Sequence, residues 1–244
     1  RTGQEVLIDK VSFKWNGKLK FSNFLVLDHH NDTLLFVKDI STSIEDFRKL
    51  NKNNYNFDRL ETSTVLLKIK KYPQEFSNSL NVFLNKLKKP SDEKRATFFK
   101  SSVITLSKSR FQYVDLNKVR GKTINIKDIE LSAESFKYQL DSFDVDLKIL
   151  KGVIESSNSK PFNFIGNVNY SPGTLSLPSF EIDNDKNQAK GSISLKGKNN
   201  SFKDFNDNVK IALSIDNSSL DANILFPNKI KNLYKKPYEI SLTA

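Results

Sequence analysis

The chain has 244 residues, 37% of them hydrophobic, with 39 Lys and Arg against 28 Asp and Glu, for a formal net charge of +11. Cysteine is absent, which excludes disulfides, thiolate metal sites and cysteine nucleophiles, and no apolar run is long enough to span a bilayer as a helix. The eight glycines are scattered, so neither a phosphate-cradling loop nor a dinucleotide fingerprint is present.

From the N-terminus, Val11, Phe13 and Trp15 begin a period-two alternation of apolar and polar residues, and Asn16-Gly17 follows as a hairpin turn. Leu34 and Phe36 resume the alternation, with Ile40 and Ile44 further on, and a helical turn is expected at Ser43 to Leu50. Val65, Leu67 and Ile69 form the next strand. From Gln74 to Lys88 the period changes: Phe76, Leu80, Phe83, Leu84 and Leu87 stand at helical offsets, and a helix is expected to start after Pro73. Lys88 to Lys100 is charged around Pro90 and is expected to be an exposed polar loop.

Alternation returns at Phe143, Val145, Leu147 and Ile149, then at Phe162, Phe164, Val168 and Tyr170, and again at Val209, Ile211, Leu213 and Ile215. Turn signals separate these runs at Ser171-Pro172-Gly173, Asp183-Asn184-Asp185 and Lys196-Gly197-Lys198-Asn199-Asn200. Ser218 to Phe226 is expected to be a short helix capped by Ser218 or Ser219. Successive side chains on a strand point to opposite faces, so each alternating run has one apolar and one polar face. That is the pattern of an antiparallel sheet with one face in water. The expected fold is mainly β, an elongated antiparallel sheet with two or three short helices. The 19 phenylalanines carry much of its apolar area.

The signals for chemistry are few. The two histidines are adjacent, in Asp28-His29-His30-Asn31-Asp32-Thr33. On a strand, neighbours face opposite ways and cannot share an ion; only a turn would allow it. The expectation is a polar turn with diverging rings and no metal. A serine–histidine–acid triad would have to use one of these histidines, and no G-x-S-x-G elbow supports it. Asp144 and Asp146 stand one strand step apart on a polar face, so they do not oppose each other across a cleft. No enzyme and no cofactor is expected. The cations are scattered and only six are arginine, so no nucleic-acid partner is expected either.

Ile8 to Ile44 reads IDKVSFKWNGKLKFSNFLVLDHHNDTLLFVKDISTSI. Its order, a strand, an Asn-Gly turn, an apolar strand and a D-x-x-x-D-T-L element at Asp28, Asp32, Thr33 and Leu34, resembles the membrane-proximal part of TamB/AsmA-like translocation and assembly proteins. Phe111-Gln112-Tyr113-Val114-Asp115 and Ile126 to Leu131 are similar to later strands of that family. The resemblance implies a periplasmic β body, anchored to the inner membrane in the full-length protein, with an apolar groove for phospholipid or another acyl lipid. It also implies an Omp85-type outer-membrane barrel as a partner through parts not in this chain. Residues 1–244 are then expected to be one elongated β-groove segment of a longer chain, supporting outer-membrane biogenesis. The groove residues expected from alternation are Phe143, Val145, Leu147, Phe162, Phe164, Val168, Val209, Ile211, Leu213 and Ile215. The alternative expectation is a closed β-sandwich, a structural or adhesion module without a ligand.

Overall fold

The structure is a computed structural model that describes residues 5–15, 17–44, 54–87, 98–117, 122–139, 142–155, 161–184, 187–202, 205–220 and 238–240. Twelve strands form one open sheet in which sequence order is spatial order, from β1 at one edge to β12 at the other. The strands are β1 (Val6–Phe13), β2 (Lys18–Leu27), β3 (Thr33–Ile44), β4 (Asn54–Lys71), β5 (Phe98–Asp115), β6 (Lys122–Gln139), β7 (Ser142–Ile154), β8 (Pro161–Ser171), β9 (Thr174–Asn184), β10 (Asn187–Gly197), β11 (Val209–Leu220) and β12 (Tyr238–Ile240). Helix α1 spans Ser79–Leu87, and α2 is a single turn at Phe205–Asn208.

The mainly β, open and elongated sheet matches the expectation from alternation. One ladder departs from it: β4 and β5 run parallel, while every other neighbouring pair is antiparallel. Parallel neighbours need a crossover of a dozen residues or more, usually with a helix. The 72–97 connection, which contains α1, supplies it.

Several local expectations need correction. Trp15 does not extend β1; it lies in the turn, 104% exposed. The turn is closed by the Lys14 N–H donating to Lys18 O (2.8 Å) and the Gly17 N–H to Lys14 O (3.0 Å), with Gly17 at φ 79°. Helix α1 begins at Ser79 rather than after Pro73 because Asn78 caps it, its Oδ1 accepting the Asn81 N–H at 2.9 Å. Phe76 is left outside the helix and fully exposed. Ser218 to Leu220 belong to β11, paired with β12, and are not helical; the rest of that expected helix lies outside the described residues. The expected helical turn at Ser43 begins on residues that end β3, and its remainder is likewise outside them. Of the expected 88–100 loop, Phe98 to Lys100 open β5 and the rest is not among the described residues.

The packed centre is small. Ala133, Val145 and Leu147 form a buried cluster, with Ile104, Leu131, Phe136, Phe143, Leu150, Phe164 and Val168 packed against it. Aromatic pairs continue it: Phe99 lies 5.1 Å from Phe57 and 5.6 Å from Phe136, and Phe143 stacks on Tyr170 at 5.3 Å.

Candidate functional site

Residues paired across a ladder share a face, so the register shows how far one chemistry extends across the sheet. One row runs Val11, Phe21, Ile40, Thr62, Leu106, Leu131, Leu150, Phe164, Ile182, Ala189, crossing β1 to β10. The next runs Phe13, Leu19, Thr42, Leu60, Ile104, Ala133, Leu147, Gly166, Phe180, Gly191, Ile215, crossing β1 to β11. A third, from β4 to β11, is Tyr55, Phe99, Tyr138, Phe143, Tyr170, Leu175, Leu195, Ile211. No charged residue interrupts any of the three. At about 4.8 Å per strand step, a row crossing eleven strands measures about 48 Å along the sheet.

The other face is polar. Glu134, Asp146 and Asn167 pair in sequence across β6, β7 and β8, as do Glu181, Lys190 and Asp216 across β9 to β11, with Ile165 of β8 an apolar exception beside Glu181. Lys148 Nζ bridges Asp146 (2.6 Å) and Glu134 (3.5 Å), and Lys190 Nζ lies 3.0 Å from Glu181.

The ten expected groove residues separate into two groups on this arrangement. Phe143, Val145, Leu147, Phe164 and Val168 meet in the central cluster. Phe162 pairs with Gly152, over which its ring lies: a Cβ on Gly152 would meet it at 3.1 Å. Val209, Ile211, Leu213 and Ile215 are three strands from β8, reached along the same face through the Gly197, Leu195, Ile193 and Gly191 positions of β10. They do not touch the central cluster. Ile211 is 57% and Leu213 52% exposed, against 9% for Leu147.

Alternation missed Leu150 and included Ile149 in its place. A register shift in β7 lies between Leu147 and Leu150, so the apolar face continues at Leu150, while Ile149 is exposed. Similarly, Phe136 rejoins Ala133 around Ser135, whose φ is 55°. In both places an irregularity changes the apolar spacing from two to three, as a β-bulge does. An apolar-to-apolar step of three inside an alternating run is the signal that would have found these residues.

The Asp28–Thr33 element forms the β2–β3 turn at one end of the sheet, as expected. Asp28 is buried, and its Oδ1 accepts the N–H groups of His30 (2.8 Å) and Asp32 (3.0 Å). Tyr72 Oη, just beyond β4, donates to Asp28 Oδ2 and to Asp32 Oδ2, 2.8 Å from each. Burial, then the two carboxylates, push the Tyr72 phenol far above its ordinary pKa. The Lys70 ammonium, hydrogen-bonded to Asp32 Oδ2 at 2.5 Å, and then the Tyr72 hydroxyl hold the Asp32 carboxyl below its ordinary value. Leu34, the last residue of the family-like motif, is 1% exposed; Thr33 opens β3. Sequence reasoning missed Lys70 and Tyr72, which lie about forty positions away and carry no local signal.

The expectation of diverging histidine rings is wrong. His29 and His30 lie in a turn, where neighbours need not alternate, with Asn31 at φ 62°. Both rings swing to one side, their centroids 4.5 Å apart. His29 Nε2 sits 2.9 Å from Glu75 Oε2 and His30 Nε2 2.8 Å from Glu75 Oε1. The His30 contact first, and the His29 contact after it, lower the Glu75 carboxyl from its ordinary pKa against the opposing effect of burial.

No helix among the described residues is long and apolar enough to cross a membrane. No family model and no curated protein matches this chain.

Proposed function

We propose that this chain holds and conducts lipid acyl chains along the apolar face of its open sheet, without catalysis. The observation that carries the reading is the continuity of these rows without a charged residue over as many as eleven strands, together with Ile211 and Leu213 on the same face of β11, which are more than half exposed. Val11 and Phe13 on β1 are exposed as well, while Ala133 and Leu147 between the two edges are packed; exposed apolar patches of this kind mark binding surfaces.

The energetics fit a conduit. Each methylene removed from water contributes about 0.8 kcal/mol, so a sixteen-carbon chain is held out of water by roughly 12 kcal/mol. Crossing an aqueous space freely is therefore very slow. On a row that is mostly apolar and carries no charge, most steps exchange one apolar contact for another, and the net cost of movement is small. A bilayer hydrocarbon core of about 30 Å holds two acyl chains end to end, so one takes up roughly 15 Å. A row of about 48 Å accommodates about three such lengths, enough for a lipid to move between successive positions. The head group stays outside in water, near the surface lysines.

The likeness of Asp28, Asp32, Thr33 and Leu34 to the TamB/AsmA-like motif supplies the proposed setting. There the segment lies in the periplasm, tethered to the inner membrane by parts outside this chain, and supports outer-membrane biogenesis together with an Omp85-type barrel. Native mass spectrometry of the purified chain tests the lipid reading. Co-purifying phospholipid or fatty acid that is lost from an Ile211→Asp/Leu213→Asp variant supports it. Protein free of lipid that also binds none when offered vesicles refutes it.

A further inference from the structure

We infer that His29, His30 and Glu75 form a binding site for one divalent transition-metal ion, of which zinc is the type. This does not depend on the lipid reading. The three donor atoms, two imidazole nitrogens and a carboxylate oxygen, lie within 4.8 Å of one another. They come from two turns remote in sequence, the β2–β3 turn and the segment leading from β4 to α1.

The donor set selects the kind of ion. Two imidazoles and one carboxylate suit zinc and its first-row neighbours, with water completing the coordination. Calcium and magnesium require several oxygen ligands, and this cluster offers one carboxylate. In tetrahedral zinc with bonds of about 2.0–2.1 Å, neighbouring donors stand about 3.3 Å apart. From Glu75 Oε1 the separations are 3.1 Å to His29 Nε2 and 2.8 Å to His30 Nε2, so these need open by only about half an ångström or less, while the two imidazole nitrogens lie within 4.8 Å of each other.

The surroundings hold the donors in place. Asp28 fixes the turn by accepting the His30 and Asp32 N–H groups, and the Tyr72 hydroxyl ties Asp28 and Asp32 to the end of β4. The Tyr72 ring lies 3.8 Å from that of His30 and 5.5 Å from that of His29. The Glu75 N–H donates to Tyr72 O at 3.2 Å, which places the carboxylate on the same side. The field also favours a cation. The Lys70 ammonium is paired with Asp32, whereas Asp28 is 2% exposed and its partners are neutral donors, two N–H groups and a hydroxyl. His30 is 45% exposed along its side chain, so the site opens to solvent.

Proton balance is consistent. For both imidazoles to donate to Glu75, each carries a proton on Nε2; when Nε2 takes a metal, that proton moves to Nδ1 in a neutral ring, or leaves to solvent from a ring that already carries a proton on Nδ1. His29 Nδ1 is buried without a partner among the described residues, whether as a bare lone pair or as an N–H. It therefore favours neither state strongly. Binding exchanges two N–H···O contacts for metal–ligand bonds and joins the turn at the end of the sheet to the start of the α1 segment.

The experiment is a titration of metal-stripped protein, prepared without a histidine tag, with zinc alone, followed by calorimetry and by competition with a chromogenic chelator. The result expected is one zinc per chain and a rise in melting temperature with zinc. His30→Gln and Glu75→Gln should each weaken binding by more than the roughly 10–100-fold that loss of an outer-shell partner causes. Both side chains are partly exposed, and far-UV dichroism checks that the variants fold. Cobalt(II) should give visible bands of tetrahedral or five-coordinate intensity that vanish in the same variants. Absence of saturable zinc binding, or binding that persists unchanged in both folded variants, overturns the assignment.

Discussion

Replacing Leu213 by Asp, with Leu147→Asp as the comparison, separates the exposed part of the apolar face from the part that is packed. Leu213 is 52% exposed, so it retains about half of the 1.5–3 kcal/mol that full burial of a leucine gives, roughly 1 kcal/mol. Aspartate is a poor strand residue, which adds about 1 kcal/mol. Its carboxylate reaches water at this position and suffers no deep desolvation. The total, about 2 kcal/mol, is well within the roughly 5–15 kcal/mol of a typical domain. Leu147 is 9% exposed and packed among Ala133, Val145 and Phe164. A charge there has no partner, and its cost of several kcal/mol adds to the roughly 2–5 kcal/mol of lost packing. The assay is urea unfolding followed by far-UV dichroism, with binding of a fluorescent fatty acid measured on the same samples. Leu213→Asp should fold, with a midpoint lower by about 1 M for a urea slope near 2 kcal/mol/M, and should lose lipid binding. Leu147→Asp should not fold. If Leu213→Asp unfolds outright, the face is covered; if it folds and binds lipid as before, lipid uses another face. Either result refutes the reasoning.

Three further outcomes follow from the described geometry. Tyr72→Phe removes the hydroxyl shared by Asp28 and Asp32 and should lower stability by about 1–3 kcal/mol in chemical denaturation, because buried Asp28 loses a donor; an unchanged midpoint would contradict the account of the turn. The folded-state pKa of Asp32 lies below its unfolded value, so protonation favours the unfolded chain. Its contribution is present above the ordinary aspartate range and is lost as pH falls through the lowered value, so the difference in melting temperature between wild type and Asp32→Asn should shrink on acidification; a difference that grows would show the sign to be wrong. Gly191→Ala should lose about 1–3 kcal/mol and hydrogen-exchange protection along β10 and β11, because its Cβ would sit 2.0 Å from Ser214 O. Gly152→Ala meets only side chains, at 3.0 Å or more, and should be milder; equal effects would refute the distinction.

The strands, the turns at Gly17 and Gly173 and the apolar face were legible because alternation and turn chemistry are local properties of sequence. Val145, Leu147, Phe164 and Val168 alternate strictly, and all fall on the face where they pack. What local pattern cannot encode was missed. The β4–β5 ladder is parallel because of a crossover of some two dozen residues, and nothing in either strand marks its direction. Leu150 and Phe136 lie beyond bulges that shift the phase of alternation. At the histidine turn, composition showed a polar turn, but the convergence of two neighbouring rings on Glu75 depends on backbone geometry at Asn31 and on a residue 45 positions away. Asp28 showed itself as a turn residue; its burial became legible only with Tyr72 in place.

Photo-crosslinking tests the central claim most directly. A photoreactive side chain is placed in turn at Ile211 and Leu213, on the apolar face, and at the intervening Ala212 and Ser214, on the other. The protein is irradiated in cells or with added phospholipid vesicles, and adducts are identified by mass. Successive side chains on β11 face opposite sides of the sheet, so the two sets differ only in the face they sample. The account predicts acyl-lipid adducts at Ile211 and Leu213 and none above background at Ala212 and Ser214. Equal labelling of both sets, or none at any of the four, would contradict it.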